Sequence, residues 1–128
     1  MALIEHATHR LSDVTIGAAI EVHRHLGPGL LESSYQACLE HELKLRGVVY
    51  DGQVSLPLRY KGVCLSKGYT LDFLIEKALV VEIKSVDKLL PIHSARLLTY
   101  LRLQNVSCGL LINFNVPLLP QGIKRMLL

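Results

Sequence analysis

The run LVVEIKSV at residues 79–86 is the feature that most restricts the fold. It is rich in β-branched aliphatic residues and lacks the alternation of a half-exposed strand, which is typical of a central strand covered on both faces. The chain has 128 residues, enough for one hydrophobic core. It is too short for a second independent core, and we therefore predict a single α/β domain over residues 1–128.

Helical and strand patterns alternate along the rest of the chain. Ser12 or Asp13 suits the N-cap of a first helix, and Gly47 suits the end of a second. Segments of alternating polarity flank Lys61-Gly62, and a short turn is expected near Glu76-Lys77, which predicts antiparallel strands. The predicted helices cover residues 12–26, 30–46 and 89–104, and the predicted strands cover residues 54–58, 69–75, 79–86, 108–114 and the C-terminal tail.

The composition favours a self-associating protein of the cytoplasm. Half of the residues are hydrophobic and the mean hydropathy is +0.33. One small core cannot hide that much apolar surface, so we expect a homodimer or higher homo-oligomer. No apolar run approaches the roughly 20 residues of a membrane span, and the N-terminal residues lack the pattern of a signal peptide. Three cysteines without CxxC spacing predict reduced thiols. We therefore expect a cytoplasmic location and no membrane partner.

Charged residues within the strand segments predict a metal site. Glu82 and Lys84 share one face of their strand because side chains alternate with a period of two. Burying them is costly unless each finds a partner, and a divalent cation is one such partner. Mg²⁺ (or Mn²⁺) needs only one or two carboxylates, which Asp72 and Glu82 can supply with the carbonyl of Ile83. Lys84 can then stabilise charge on a phosphate. A solvated Glu82–Lys84 ion pair is the open alternative.

These residues resemble a known nuclease signature. Asp72 followed by Glu82-Ile83-Lys84 looks like the D-x(n)-E-x-K pattern of the PD-(D/E)xK nuclease superfamily. GLLESSY at residues 29–35 fits the G-x-x-E-x-x-Y motif of the GxxExxY protein family, a branch of that superfamily. The likeness extends over residues 15–125. It implies a restriction-endonuclease-like core, in which helices flank a central mixed sheet.

The same resemblance implies further site residues. Glu32 would face the metal site, as a contact to a metal-bound water or as an acid that holds Lys84. The helix after the EIK strand usually carries a glutamine and, four residues later, a tyrosine; here these positions are Arg96 and Tyr100. Arginine lacks acceptor capacity but can bind a phosphate bidentately. His93 falls on the same face and could contact phosphate or shuttle a proton, or it could be a helix-surface residue.

Three hypotheses follow for function. The first is a magnesium-dependent nuclease that hydrolyses phosphodiester bonds of DNA or RNA, with nucleic acid as its partner. The second is a nucleic-acid-binding module with a degenerate site, favoured by Arg96. The third is an oligomeric interaction protein with a vestigial pocket. The net charge is only +3 and aromatic residues make up 5% of the chain, which speaks against a dense basic patch or an extended base-stacking surface.

Overall fold

The computed structural model describes residues 2–128, except for the side chains of residues 2–7, 66 and 67. Within these residues, three helices and five strands follow one another in the order α1, α2, β1, β2, β3, α3, β4, β5, with one 3₁₀ turn before β5. The helices are α1 (Ala2–Leu26), α2 (Glu32–Leu45) and α3 (Pro91–Gln104), and the strands are β1 (Tyr50–Tyr60), β2 (Val63–Ile75), β3 (Leu79–Lys84), β4 (Cys108–Asn113) and β5 (Ile123–Leu127).

The strands of the described chain form one mixed sheet in the order β1-β2-β3-β4-β5. Three neighbouring pairs are antiparallel, whereas β3 and β4 are parallel and are connected through α3. A parallel pair needs such a crossover, because a tight turn can only join antiparallel strands. The central position of β3 and the edge position of the C-terminal strand are both confirmed.

Helices cover both faces of this sheet. One face packs against α1 and α2, through residues such as Val22 and Leu39 that belong to the same core cluster as Val81 and its odd-numbered neighbours on β3. The other face packs against α3, where Leu97 belongs to the same cluster as Val80. Because side chains alternate along a strand, Glu82 and Lys84 point to the α3 side. The two-layer covering predicted from the β3 sequence is confirmed.

The first helix begins earlier than the sequence predicts. It starts at Ala2, so the proposed N-cap at Ser12 or Asp13 is wrong. The Ser12 hydroxyl instead donates to the carbonyl of His9 at 3.2 Å, and the Thr15 hydroxyl donates to the carbonyl of Leu11 at 2.8 Å. A serine can satisfy its hydroxyl within a helix in this way, so its presence does not by itself mark a helix start.

Two tight turns fix the register of the strands that carry the site. Lys61 and Gly62 have φ values of 48° and 82° and connect β1 to β2. This is the positive-φ geometry that matches the twist of a hairpin. Glu76 and Lys77 also have positive φ, at 46° and 57°, and connect β2 to β3. The short second turn sets Phe73 opposite Val81, and Asp72 therefore lies next to Glu82.

No helix in the described residues is long and apolar enough to cross a membrane.

Candidate metal centre

Asp72 and Glu82 lie where β2 and β3 stop pairing through their backbones. The ladder between these strands extends from Ile75 opposite Leu79 to Phe73 opposite Val81. Immediately beyond it, the backbone N–H of Asp72 donates to Glu82 Oε1 at 3.0 Å. The backbone N–H of Ile83 donates to Asp72 Oδ2 at 2.8 Å. Each carboxylate thus takes the place of a backbone acceptor, and the two acids are locked side by side.

Burial makes it costly for both acids to be ionised together. Glu82 is only 7% exposed, and burial together with the negative charge of Asp72 raises its pKa to about 8. The pKa of Asp72 is also raised, first by burial, although the N–H of Ile83 opposes that effect. A divalent cation between them would remove the repulsion and replace the lost hydration.

Lys84 supplies positive charge to the same place. Its charge lowers the pKa of both Asp72 and Glu82. Within the described side chains, Lys84 makes no ion pair shorter than 4.0 Å. A solvated Glu82–Lys84 pair therefore does not describe this site, because Glu82 is buried and Lys84 is not bound to it. The ammonium group remains available to an anionic ligand.

A cavity of about 520 Å³ opens beside Asp72, between α2 and the strands. Glu32 lines it, and Glu32 Oε1 accepts the backbone N–H of Ser85 at 3.3 Å. The Ser85 hydroxyl in turn donates to the carbonyl of Leu30 at 2.5 Å, which ties the start of α2 to the end of β3. The negative charge of Glu32 adds to the rise of the Asp72 pKa. The structure thus brings Glu32 to the same cavity as Asp72.

Gln36 is a residue of this cavity that the sequence analysis missed. It is 9% exposed, and its Nε2 donates to the carbonyl of Asp72 at 3.0 Å and to Glu40 Oε2 at 3.1 Å. Its Oε1 is buried and has no hydrogen-bond partner among the described residues. The available signal was the spacing of Glu32, Gln36 and Glu40, which are four residues apart and therefore share one helical face.

The donor set fits a hard divalent cation. Asp72 and Glu82 offer carboxylate oxygens, and the Ile83 carbonyl points to the Asp72 side, because the N–H and C=O of a strand residue face the same way. The described residues contain no cluster of three or more His, Cys, Asp or Glu that could hold a metal. Two carboxylates suit Mg²⁺ or Mn²⁺, which keep several waters, whereas a closed zinc site needs more protein ligands. The unpartnered oxygen of Gln36 is a further acceptor nearby.

The three predicted α3 residues lie in different surroundings. The Nδ1 atom of His93 accepts the backbone N–H of Leu90 at 2.9 Å, so this ring caps the N-terminus of α3. Arg96 is exposed. Tyr100 is 7% exposed, and burial followed by the charge of Glu82 raises its pKa, which the charge of Arg96 opposes. The charge of Glu82 thus acts on the Tyr100 phenol, whereas the observed contact of His93 is structural.

The mixed sheet with helices on both faces and two interlocked acids defines the restriction-endonuclease-like class of α/β folds. A family model described as the PD-(D/E)XK nuclease superfamily matches residues 9–126. The chain therefore belongs to the PD-(D/E)XK nuclease superfamily, whose nucleases generally use divalent metals. A search of curated proteins and a search of solved structures each gave no match.

Proposed function

We propose that this protein is a metal-dependent phosphodiesterase that cleaves DNA or RNA, in the GxxExxY branch of its superfamily. One observation carries the proposal: Asp72 and Glu82 interlock through backbone N–H groups at the point where β2 and β3 separate. Two buried acids that repel each other when both are ionised lower the stability of the fold. Groups with such perturbed pKa values concentrate at functional sites. We also propose that the whole chain acts as one domain.

Asp72 and Glu82 would hold Mg²⁺ or Mn²⁺ through their carboxylates, with the carbonyl of Ile83 as a third ligand. When bound, the cation would neutralise negative charge that develops on the phosphate. The reaction adds the oxygen of water to phosphorus and breaks one P–O ester bond, and the departing oxygen takes up a proton. The Lys84 ammonium would donate hydrogen bonds to the phosphate as its charge grows.

Glu32 and Gln36 would order water in the cavity beside Asp72. Glu32 lines the cavity and is anchored to the backbone of Ser85. The buried Oε1 of Gln36 requires a donor, because a buried unpaired carbonyl costs about 1–3 kcal/mol. A water molecule in the cavity would meet that requirement. The pair would thereby supply positioned water on the α2 side of the acids.

Arg96 and Tyr100 would contact the substrate on the α3 side. Arg96 is exposed and can bind a phosphate through two parallel N–H groups. Tyr100 lines the same groove as Arg96, and the charges of Arg96 and Glu82 both act on its phenol. His93 would contribute to the site indirectly, by fixing the first turn of α3. With Nδ1 engaged by Leu90, the neutral ring carries its proton on Nε2 and cannot accept one there.

The proposal is tested by incubating the purified protein with labelled single-stranded and duplex DNA and RNA. Mg²⁺, Mn²⁺, Ca²⁺ and a chelator are compared, and Asp72→Asn and Glu82→Gln are the inactive variants. Glu76→Gln is the matched control, because it removes an exposed acid from the turn that connects the same two strands. We expect cleavage only with Mg²⁺ or Mn²⁺ and none from the two site variants. Intact substrates together with no measurable Mn²⁺ binding would refute the proposal.

A binding module without cleavage is the second candidate, and the exposed guanidinium of Arg96 favours it. This candidate predicts nucleic-acid affinity that falls with salt, because phosphate contacts release counterions. It also predicts that Asp72→Asn leaves the affinity unchanged in the absence of metal. Salt-dependent binding combined with absent cleavage under all metal conditions would select it over hydrolysis.

Self-association and a cytoplasmic location remain predictions. Many large apolar side chains are exposed, among them Leu31 at 74% and Val49 at 68%. Such surface is suited to contact with a second copy. Sedimentation equilibrium measures the subunit count, and imaging of a tagged chain in cells measures its location.

A further inference from the structure

A groove of about 310 Å³ lies on the α3 side, between the β1–β2 hairpin and α3. We call it the Tyr69 groove. Its walls are mainly apolar, and its polar groups are two tyrosines, a threonine and one arginine. The residues that matter here are Leu58, Tyr69, Ile92, Arg96, Tyr100 and Leu103. The groove is separate from the cavity beside Asp72, which faces α2.

Tyr69 presents an aromatic ring among the mainly apolar residues that line the groove. It is 50% exposed, and its ring centroid lies 5.9 Å from that of Tyr100 with the planes tilted by 42°. Tyr100 thus supports one side of the ring, while half of Tyr69 remains open to solvent. A flat apolar ligand could stack on it, and stacking of a nucleobase on an aromatic side chain contributes about 1–3 kcal/mol.

Arg96 places a positive charge in the same groove. Its side chain is exposed, and it makes no ion pair with the described residues. A guanidinium group binds phosphate oxygens bidentately. An aromatic platform with apolar walls and one phosphate-binding cation matches a nucleotide, because a nucleotide joins a flat base to an anionic phosphate. The charge complementarity therefore favours this occupant over a purely apolar one.

The groove lies on the α3 side of the sheet, to which Glu82 also points. Tyr100 forms part of its lining and also feels the negative charges of Glu82 and Asp72. A strand whose base lies on Tyr69 would therefore lie on the face of the sheet to which Glu82 points. Bases of an intact duplex are stacked and paired, and extruding one costs a few kcal/mol. An unpaired strand can occupy the groove without that cost.

We propose that the Tyr69 groove binds one unstacked nucleobase, with its phosphate on Arg96, so that the enzyme acts on single-stranded nucleic acid or unpaired ends. The consequence for cleavage rests on the function proposed above. The binding itself is independent of it. A sequence with few aromatic residues can build this site, because the fold brings Tyr69 and Tyr100 together from distant elements.

The experiment measures fluorescence anisotropy of labelled single strands and matched duplexes in Ca²⁺, with both deoxyribose and ribose versions. Tyr69→Ala is compared with Tyr69→Phe, which keeps the ring. Tyr60→Ala is the matched control, because Tyr60 is 63% exposed on the same hairpin and does not line the groove. We expect Tyr69→Ala to weaken single-strand binding roughly 5- to 100-fold. The other two variants should bind like the wild type, and Tyr69→Ala should leave duplex binding unchanged.

Two results would overturn the proposal. In the first, Tyr69→Ala is folded by circular dichroism but either leaves single-strand affinity unchanged or weakens single-strand and duplex binding equally. The other is a dimer in sedimentation that Tyr69→Ala dissociates, since the groove would then be an interface between two copies. Tyr69-dependent binding without cleavage in Mg²⁺ or Mn²⁺ would reject the proposed hydrolysis and retain the groove. Cleavage of single strands that is independent of Tyr69 would retain the proposed hydrolysis and remove only the groove's consequence for cleavage.

Discussion

The stability of the metal-free protein should fall as pH rises, and Glu82 should be the main cause. Burial and the neighbouring charge of Asp72 raise the pKa of Glu82 from an ordinary value of 4.5 to about 8. The folded state therefore holds a proton that the unfolded chain releases between these two values. Stability declines wherever the folded state binds more protons, so the decline begins near pH 4.5 and ends above pH 8.

The magnitude follows from the size of this displacement. Each pH unit between 4.5 and about 8 is worth about 1.4 kcal/mol, which gives an upper limit of about 5 kcal/mol for the loss of unfolding free energy. Glu82→Gln should abolish most of this loss, because the amide stays neutral and can still accept the N–H of Asp72. It also removes the repulsion acting on Asp72. The variant should match the wild type in acid and exceed its stability in alkali.

The assay is urea unfolding in a chelator at a series of pH values. Circular dichroism is the suitable signal, because the chain contains no tryptophan. Glu76→Gln is the control and should follow the wild-type curve. Mg²⁺ should restore stability to the wild type in alkali and have no effect on Glu82→Gln. Parallel pH profiles for the wild type and Glu82→Gln would refute the reasoning, since they would mean that Glu82 ionises without cost in the folded state.

Three further perturbations separate the roles of individual residues. Lys84→Met should lower kcat about 100- to 1,000-fold with little change in Mn²⁺ affinity by calorimetry; a matching loss of affinity would instead make Lys84 part of the metal-holding structure. His93→Ala should lower the unfolding free energy by about 0.5–2 kcal/mol, because the hydrogen bond that caps the N–H of Leu90 is lost. The cleavage rate per folded molecule should be retained. A large loss of rate at unchanged stability would instead establish a catalytic role for His93. Arg96→Ala should reduce by about one the slope of log affinity against log salt, and an unchanged slope would exclude a phosphate contact.

The sequence predicted the parts of the fold that depend on local pattern. The uninterrupted apolar run at β3 required cover on both faces, and the structure has helices on both. Lys61-Gly62 marked a turn because glycine accepts positive φ. The turn expected near Glu76-Lys77 is also present, although neither of these residues favours its positive φ. The start of α1 was wrong, because Ser12 can cap a helix or bond back within one, and sequence alone does not distinguish these.

The candidate site also contains residues that the sequence predicted and residues that it did not. Alternation along β3 and the cost of buried charge pointed to Asp72, Glu82 and Lys84 before any contact was known. The role of Gln36 could not be predicted from the sequence, because it depends on how α2 packs against β2. In the folded chain the Gln36 side-chain amide donates to the carbonyl of Asp72, and its oxygen has no partner among the described residues. The sequence predicted a catalytic role for His93 but not the contact that the structure shows, in which its Nδ1 accepts the backbone N–H of Leu90 at the start of α3.

By itself the sequence determined which residues carry charge within apolar strands, where the chain turns and which superfamily it resembles. The tertiary structure decided how those residues meet. The cavity at Gln36 and the pairing of Tyr69 with Tyr100 each join elements that are distant along the chain. The hydrogen bonds between Asp72 and the Glu82-Ile83 segment join two consecutive strands beyond the end of their ladder. Periodicity constrains the face on which a side chain lies, but the packing of one element against another sets its neighbours and its exposure to water.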